Sequence, residues 1–252
     1  MEQKLNILKK LAMFKINYNY IKIIGLIVLV GFLFAFSNQR NKNRIVGEPY
    51  IEFLGENKLF ITDENVSKLL IQNLEPVSKQ PKDIIDLNKL ESALKSNPMI
   101  KKAEVFMSVN GTLSAEIEQK RPIARVNTNA SYYIDDEGGF MPLSYNYAAR
   151  VPLVTGNIEK NKLQTVFKFA KAVDEDDFLK KYVIEIRQNN DKTIDFKIRK
   201  SYFTVHLGTL KQLEKKINNF KAFYQKAFKD QILDSYALVN LKFDKQVICT
   251  KK

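Results

Sequence analysis

Residues 23–36 read IIGLIVLVGFLFAF, fourteen in succession without a polar side chain. Alone, a run of that length fits a buried helix or the core of a signal peptide. The flanks extend it. Residues 18–37 hold one charge, Lys22, close enough to the end for its ammonium to reach the interface. As a helix this stretch spans about 30 Å, the thickness of a hydrocarbon core. Tyr18 and Tyr20 suit the headgroup level. There is no polar face to turn toward water, which argues against a soluble buried helix. The run closes on Phe34-Ala35-Phe36-Ser37-Asn38, which lacks the small residues at alternate positions that a signal-peptide cleavage site wants. An uncleaved transmembrane anchor over residues 18–37 is therefore expected.

Flanking charge sets the expected orientation. Lys4, Lys9, Lys10, Lys15 and Lys22 precede or begin the run, and Arg40, Lys42 and Arg44 follow it. The excess on the N-terminal side places residues 1–17 in the cytoplasm as a basic tail. Residues 38–49 then form a polar linker, and about 200 residues lie outside the inner membrane. The 252-residue chain carries a net charge of +13. Residues 1–36 hold five Lys and one Glu, so a net +9 belongs to the rest. The surplus is spread over pairs such as Lys101-Lys102, Lys180-Lys181 and Lys251-Lys252. No aromatic-interleaved basic box or zinc spacing accompanies it, so nucleic acid is a poor partner.

Two counts remove most enzyme classes. A single Cys, Cys249, forbids an intrachain disulfide, and a single His, His206, forbids a His cluster for a metal. Acids gather at 135–137 and 174–177. The first group lacks the alternate spacing and distant Glu of a calcium loop and reads as turn chemistry. The second holds four adjacent acids, which point apart; it reads as a solvated link that caps the next short turn. No catalytic, metal or cofactor residue is assigned.

The exported part reads as α+β in two pieces: a small β-α-α-β-β module over 50–121 and a β-rich domain with covering helices over 122–252. In the first, Thr62 and Asp86 are N-cap candidates. Val66, Leu69 and Leu70, then Leu87, Leu90, Ala93 and Leu94, follow at helical spacing. A loop is expected over 74–82, with Pro76 and Pro81, and Asn97-Pro98 stops the second helix. Asn110-Gly111 between alternating runs at 100–109 and 112–119 predicts a two-residue type I′ hairpin, with Ala103, Val105, Met107, Leu113, Ala115 and Ile117 inward.

In the second piece, strands are expected at 131–134 and 140–143 around an Asp-Gly turn, with an extended segment ending at Gly156. Leu163, Val166, Phe167, Ala170 and Val173 form one helix face. Alternation at 183–187 and 192–199 points Ile184, Ile186, Ile194, Phe196 and Ile198 inward around an Asn190-Asp191 turn. Tyr202, Thr204 and His206 take the polar face of the next strand, His206 with no carboxylate implied near it. Leu210, Leu213, Ile217, Phe220, Tyr224 and Ala227 stripe a long helix that covers the sheet. A strand over 237–243 alternates around Val239, Leu241 and Phe243, and 246–250 can return beside it after Asp244-Lys245.

This succession resembles the FtsQ (DivIB) family of bacterial cell-division proteins. The matching residues are Leu90-Glu91, Leu94, Asn97-Pro98, Ile100, Ala103, Val105 and Gly111-Thr112-Leu113. Lys120-Arg121-Pro122-Ile123-Ala124-Arg125 resembles the family's Glu-Arg-x-Pro-x-Ala segment. Tyr133-Ile134-Asp135 with Gly138 resembles its Asp-x-x-Gly turn. Val151-Pro152-Leu153-Val154 with Gly156 resembles its Leu-Pro-x-Leu-x-Gly step, and Val239-Asn240-Leu241-Lys242-Phe243 its closing strand.

The resemblance implies a POTRA domain, then the family's β domain, and no catalysis. It implies a bitopic scaffold at the division site that binds the small bitopic proteins FtsB and FtsL through a β-domain edge strand. Here that edge falls on Val239, Asn240, Leu241, Lys242 and Phe243, or, if residues 246–250 pair as a further strand, on the segment with Val247 and Ile248. Two rival readings are a POTRA-type adaptor in envelope transport or outer-membrane assembly, and a wall hydrolase. The first usually brings several repeats or a barrel, and the second needs a paired-carboxylate or metal cleft.

Overall fold

The computed structural model describes residues 18–42, 48–55, 59–73, 85–108, 110–128, 130–243 and 246–252. The basic tail, the proline-containing loop expected over 74–82 and the Asp244-Lys245 turn lie outside the described residues. Helix α1, Tyr18–Lys42, is longer than the expected span, and its side chains from Tyr18 to Arg40 are all exposed. At 25 residues it reaches about 37 Å, enough to cross a bilayer. Among the described residues, none covers its apolar surface; lipid is the solvent that would.

A three-stranded unit follows: β1 (Tyr50–Leu54), α2 (Asp63–Asn73), α3 (Leu87–Lys95), β2 (Ile100–Met107) and β3 (Leu113–Gln119). The strand order is β1-β3-β2, with β1 parallel and β2 antiparallel to β3. The caps read from sequence are present. Asn65 N–H donates to Thr62 Oγ1 at 3.4 Å, and Lys89 N–H to Asp86 Oδ1 at 3.1 Å. Val66, Leu70, Leu90 and Leu94 turn inward onto Phe53, Ala103, Val105, Leu113, Ala115 and Ile117. Alternation on the strands and i, i+4 spacing on the helices thus meet in one core.

The hairpin departs from the two-residue expectation. Ser108 N–H donates to Thr112 O and Gly111 N–H to Ser108 O, both at 3.0 Å. The register Val105↔Ala115 and Met107↔Leu113 centres on Asn110, so three residues lie between the closing pair. The Ser108 hydroxyl, donating to Thr112 O at 3.1 Å, holds that wider closure. Such a loop needs positive φ at its last residue, and Gly111 has φ 92°. The strands accordingly end at Met107 and Leu113.

The remaining strands form one nine-stranded sheet, ordered β12-β11-β10-β9-β8-β7-β4-β5-β6. They are β4 (Pro122–Asn127), β5 (Ser131–Asp135), β6 (Phe140–Met141), β7 (Leu153–Gly156), β8 (Val183–Gln188), β9 (Ile194–Ile198), β10 (Thr204–Gly208), β11 (Tyr236–Asn240) and β12 (Ile248–Lys251). Helices α4 (Gln164–Glu175), α5 (Asp177–Tyr182) and α6 (Leu213–Lys229) supply the other half of its core. Phe220 of α6 meets Phe196 of β9 edge-on, ring centroids 5.2 Å apart. On α4 the deeply buried aromatic is Phe169, whereas Phe167, expected inward, is half-buried. Its ring lies against Gly138 instead, 3.0 Å from where a Cβ would stand. Ile184 is 42 % exposed, because a register shift between Val183 and Glu185 breaks the alternation that would have buried it.

The acids at 174–177 are not merely solvated. Asp176 caps α5, accepting from Leu179 N–H at 3.0 Å, and pairs with Lys221 of α6. Asp174 is paired with Arg121 at 2.7 Å and Lys180 at 3.0 Å. Burial alone would raise the Asp174 carboxyl, but its two cations hold it below the usual carboxylate range. Asp174 and Asp176 thus go to different basic partners.

Candidate partner-binding edge

Both long parts of the chain are joined by a small aromatic plug. Phe60, just before α2, is 3 % exposed and packs with Tyr133 and Met141 of the large sheet. Gln119 at the end of β3 accepts from Phe60 and Ile61 N–H and donates to Ile61 O at 2.9 Å. Ser144 Oγ donates to Phe60 O at 2.7 Å. Lys120 reaches Asp135 Oδ2 at 2.8 Å and Phe140 O at 3.2 Å. Asp135 in turn accepts from Glu137 and Gly139 N–H, which fixes the tight turn. The three-stranded unit therefore sits at the β5–β6 end of the sheet.

The opposite end of the sheet is β12. Val239 and Leu241 bury their side chains in the core, at 0 % and 2 % exposure. β11 runs parallel to β10 (Val205↔Val239, His206↔Asn240) and antiparallel to β12 (Asn240↔Ile248, Val239↔Cys249, Leu238↔Thr250). Both of its sides are occupied, so Val239 and Asn240 are interior to the sheet. Leu241 follows β11, and its N–H donates to His206 O at 2.9 Å. The strand ends at Asn240; Lys242 N–H folds back to Asn240 Oδ1 at 2.9 Å. Phe243, expected on the inward face, is 45 % exposed. The Asn240 side chain takes the N–H that a continuing strand would pair, so the alternation stops before Phe243.

Alternation along the strands identifies the free groups. The Leu241 N–H points to β10, so that of Asn240 points to β12. Ile248, opposite Asn240, and Thr250, opposite Leu238, therefore turn their backbone groups inward. Lys252 N–H, donating to Ser235 O at 2.9 Å, agrees. Cys249 and Lys251 are left with N–H and C=O aimed away from the sheet. Of the residues proposed from sequence, Val247 and Ile248 lie along this edge; Cys249, within the 246–250 segment, and Lys251 lie along it too but were not singled out. Their signal was faint, a four-residue run after a charged turn. The Cys249 thiol is half-buried beside the core, and burial pushes it up.

A groove of about 390 Å³ opens at the start of this edge. Phe223 and Ala227 of α6, Ile232, Tyr236 and Val247 line it, with Lys226 and Asp230 at its rim. On the sheet's polar face, His206 Nδ1 contacts Asp195 Oδ1 on the neighbouring strand, and Asn189 Nδ2 donates to Asp195 Oδ2 at 3.0 Å. A carboxylate thus stands beside the one His. Cross-strand register brought it there from eleven residues away, which the local pattern could not reveal. Among the described residues, no group of three or more His, Cys, Asp or Glu is placed to hold a metal ion.

An exposed apolar N-terminal helix, a compact β-α-α-β-β unit and a large sheet ending on β12 define a membrane-associated POTRA-type protein. Residues 55–118 match the POTRA-like domain. Residues 121–250, over half the chain, match the family described as FtsQ/DivIB, C-terminal related. The chain belongs to the FtsQ/DivIB family of cell-division proteins. It is similar to the cell division protein FtsQ of Geotalea daltonii, 30 % identical over 76 residues. That match covers 30 % of this chain and 28 % of the relative.

Proposed function

We propose that the protein is a non-enzymatic, bitopic scaffold of the bacterial division machinery. It joins early and late division proteins at the septum by binding partners of the FtsB and FtsL type. Residues 1–17 lie in the cytoplasm, 18–37 cross the inner membrane, and 38–49 link the anchor to a POTRA domain (50–121) and a β domain (122–252) outside. The observation that carries this reading is β12, whose outer side pairs with no other strand among the described residues. An edge strand offers backbone donors and acceptors to an extended segment, with side-chain pockets adding specificity. Sharing one membrane raises the partners' effective concentration, so a modest interface suffices.

The edge assignment has a one-residue test. Cys249→Pro deletes an N–H aimed at the partner and no bond inside the sheet. Thr250→Pro deletes one that pairs with β11. In a pull-down from cells, Cys249→Pro is expected to fold and lose FtsB, whereas Thr250→Pro loses stability. A folded Cys249→Pro protein that still captures FtsB refutes the assignment. A fluorescent fusion forming a midcell band, and filaments without septa on depletion, are the expected cell phenotypes. Even envelope staining would favour a transport adaptor instead.

A further inference from the structure

A second cavity opens at the carboxyl ends of β7 and β8, in the middle of the large sheet. Strands β4, β7 and β8 run parallel, and α4 and α5 carry the chain from β7 over to β8. In such a crossover the crevice beyond the strand ends faces the start of the next helix. Here β7 ends on Gly156, packed so close to β8 that a Cβ would stand 2.1 Å from Gln188 O. Beyond that contact lies a cavity of about 310 Å³, lined by the amide residues Asn157, Asn161, Gln164, Gln188, Asn189 and Asn190.

Two independent observations select an occupant. Gln188 follows Ile186 on the buried, helix-covered face of β8 and is 8 % exposed. Its Nε2 donates to Asn157 O at 2.7 Å, but its Oε1 is buried and accepts from no donor among the described residues. A buried acceptor left unpaired is costly, and a ligand hydroxyl would satisfy it. The other observation is the start of α4. Leu163, its N-cap, supplies no side-chain acceptor, and no acid stands in the first turn. The Gln164 and Thr165 N–H groups find no acceptor among the described residues. Such groups, with the helix dipole behind them, hold an anion. Lys192 lines the same cavity, and its one acid, Glu159, is answered by Lys162 at 2.8 Å. We infer that this cavity binds a phosphorylated polyol. The phosphate sits on the α4 N-terminus, its three terminal oxygens meeting two free N–H groups and the Lys192 ammonium. A hydroxyl of the polyol donates to Gln188 Oε1, and the remaining amides take the others. This site shares no element with β12.

The test uses the full chain in phosphatidylcholine nanodiscs and isothermal titration calorimetry with four probes. They are glycerol 3-phosphate, propyl phosphate, glycerol, and glycerophosphoglycerol, a water-soluble lipid headgroup. Glycerol 3-phosphate is expected to bind about tenfold tighter than propyl phosphate, which has the charge without the hydroxyls. It should also bind about tenfold tighter than the headgroup, whose diester keeps only two terminal oxygens. Glycerol alone should give no binding heat. Gln188→Met should keep the affinity for propyl phosphate and cut the preference for glycerol 3-phosphate to within about twofold. Gln164→Glu sets a carboxylate on the helix start, which favours the helix and repels the anion. It should fold with no loss in urea midpoint and bind glycerol 3-phosphate at least about tenfold more weakly.

Absence of heat with glycerol 3-phosphate overturns the inference. So does equal binding of propyl phosphate, which would leave an anion site with no use for Gln188. Headgroup binding as tight as that of glycerol 3-phosphate overturns it too, and would point to lipid as the source of the phosphate. A folded Gln164→Glu protein with unchanged affinity removes the helix terminus from the site. Should Gln188→Met fail to fold, the comparison of glycerol 3-phosphate with propyl phosphate on the unaltered chain still decides.

Discussion

Phe60→Ala should uncouple the two extramembrane domains. The ring is 3 % exposed and makes edge contacts with Tyr133 (6.2 Å, 67°) and Tyr147 (5.3 Å, 76°). The substitution removes an aromatic side chain from a cluster whose other fully buried members, Tyr133 and Met141, belong to the larger sheet. Losses of about 3–5 kcal/mol are usual for such a deletion. The backbone bonds to Gln119 and Ser144 need no ring and survive, so the chain path is kept while the apolar contact is lost. With an m of about 2 kcal/mol/M for a small domain, about 4 kcal/mol lowers its urea midpoint by roughly 2 M. Because that contact is the apolar part of the coupling between the two units, one joint transition should split into two. Urea titration of the purified protein, read by hydrogen exchange of β2 and of β9 separately, tests this. Phe106→Ala, at a 45 % exposed strand position, is the control and should change little. A single coincident transition in Phe60→Ala, displaced by less than about 0.5 M, would refute the coupling argument.

Gly156→Ala should prevent folding of the β domain, because the new Cβ would stand 2.1 Å from the Gln188 carbonyl oxygen at φ 92°; circular dichroism of the expressed variant checks it. Lys120→Glu should destabilise by about 3–5 kcal/mol, since it sets a second carboxylate against Asp135, whose side chain is 3 % exposed. Denaturant titration decides, and unchanged stability would refute it. The Asp174 carboxyl has its folded pKa held below its unfolded value, so its stabilising contribution is complete above the unfolded pKa. That contribution is lost as pH falls through the folded pKa, and Asp174→Asn should flatten the acid limb of a stability profile between roughly pH 5 and pH 2.

The elements that the sequence made legible share one property: their signal is local. The apolar run of α1, the Thr62 and Asp86 caps, and the stripe Ile217, Phe220, Tyr224 and Ala227 each depend on neighbours a turn or two away. The strands with unbroken alternation, such as β3 and β10, belong with them. Where a single backbone irregularity intervened, pattern reading failed. The shift at Val183–Glu185 turned Ile184 outward, and the Ser108 side chain widened the hairpin. Neither leaves a mark on hydrophobic periodicity.

The family, the long apolar helix and the α+β class were thus already written in residue order. Which strand is last, and which of its backbone groups face outward, was not. That depended on β12 pairing with β11, and on the long-range parallel pairing of β11 with β10, which occupied both sides of the strand that sequence had marked. The same holds for Asp195 beside His206 and for Lys120 against Asp135. Sequence patterning records whether a side chain faces core or water. The sideways neighbours of a strand are set by its backbone hydrogen bonds, which every residue except proline can make alike, so only the folded sheet decides them.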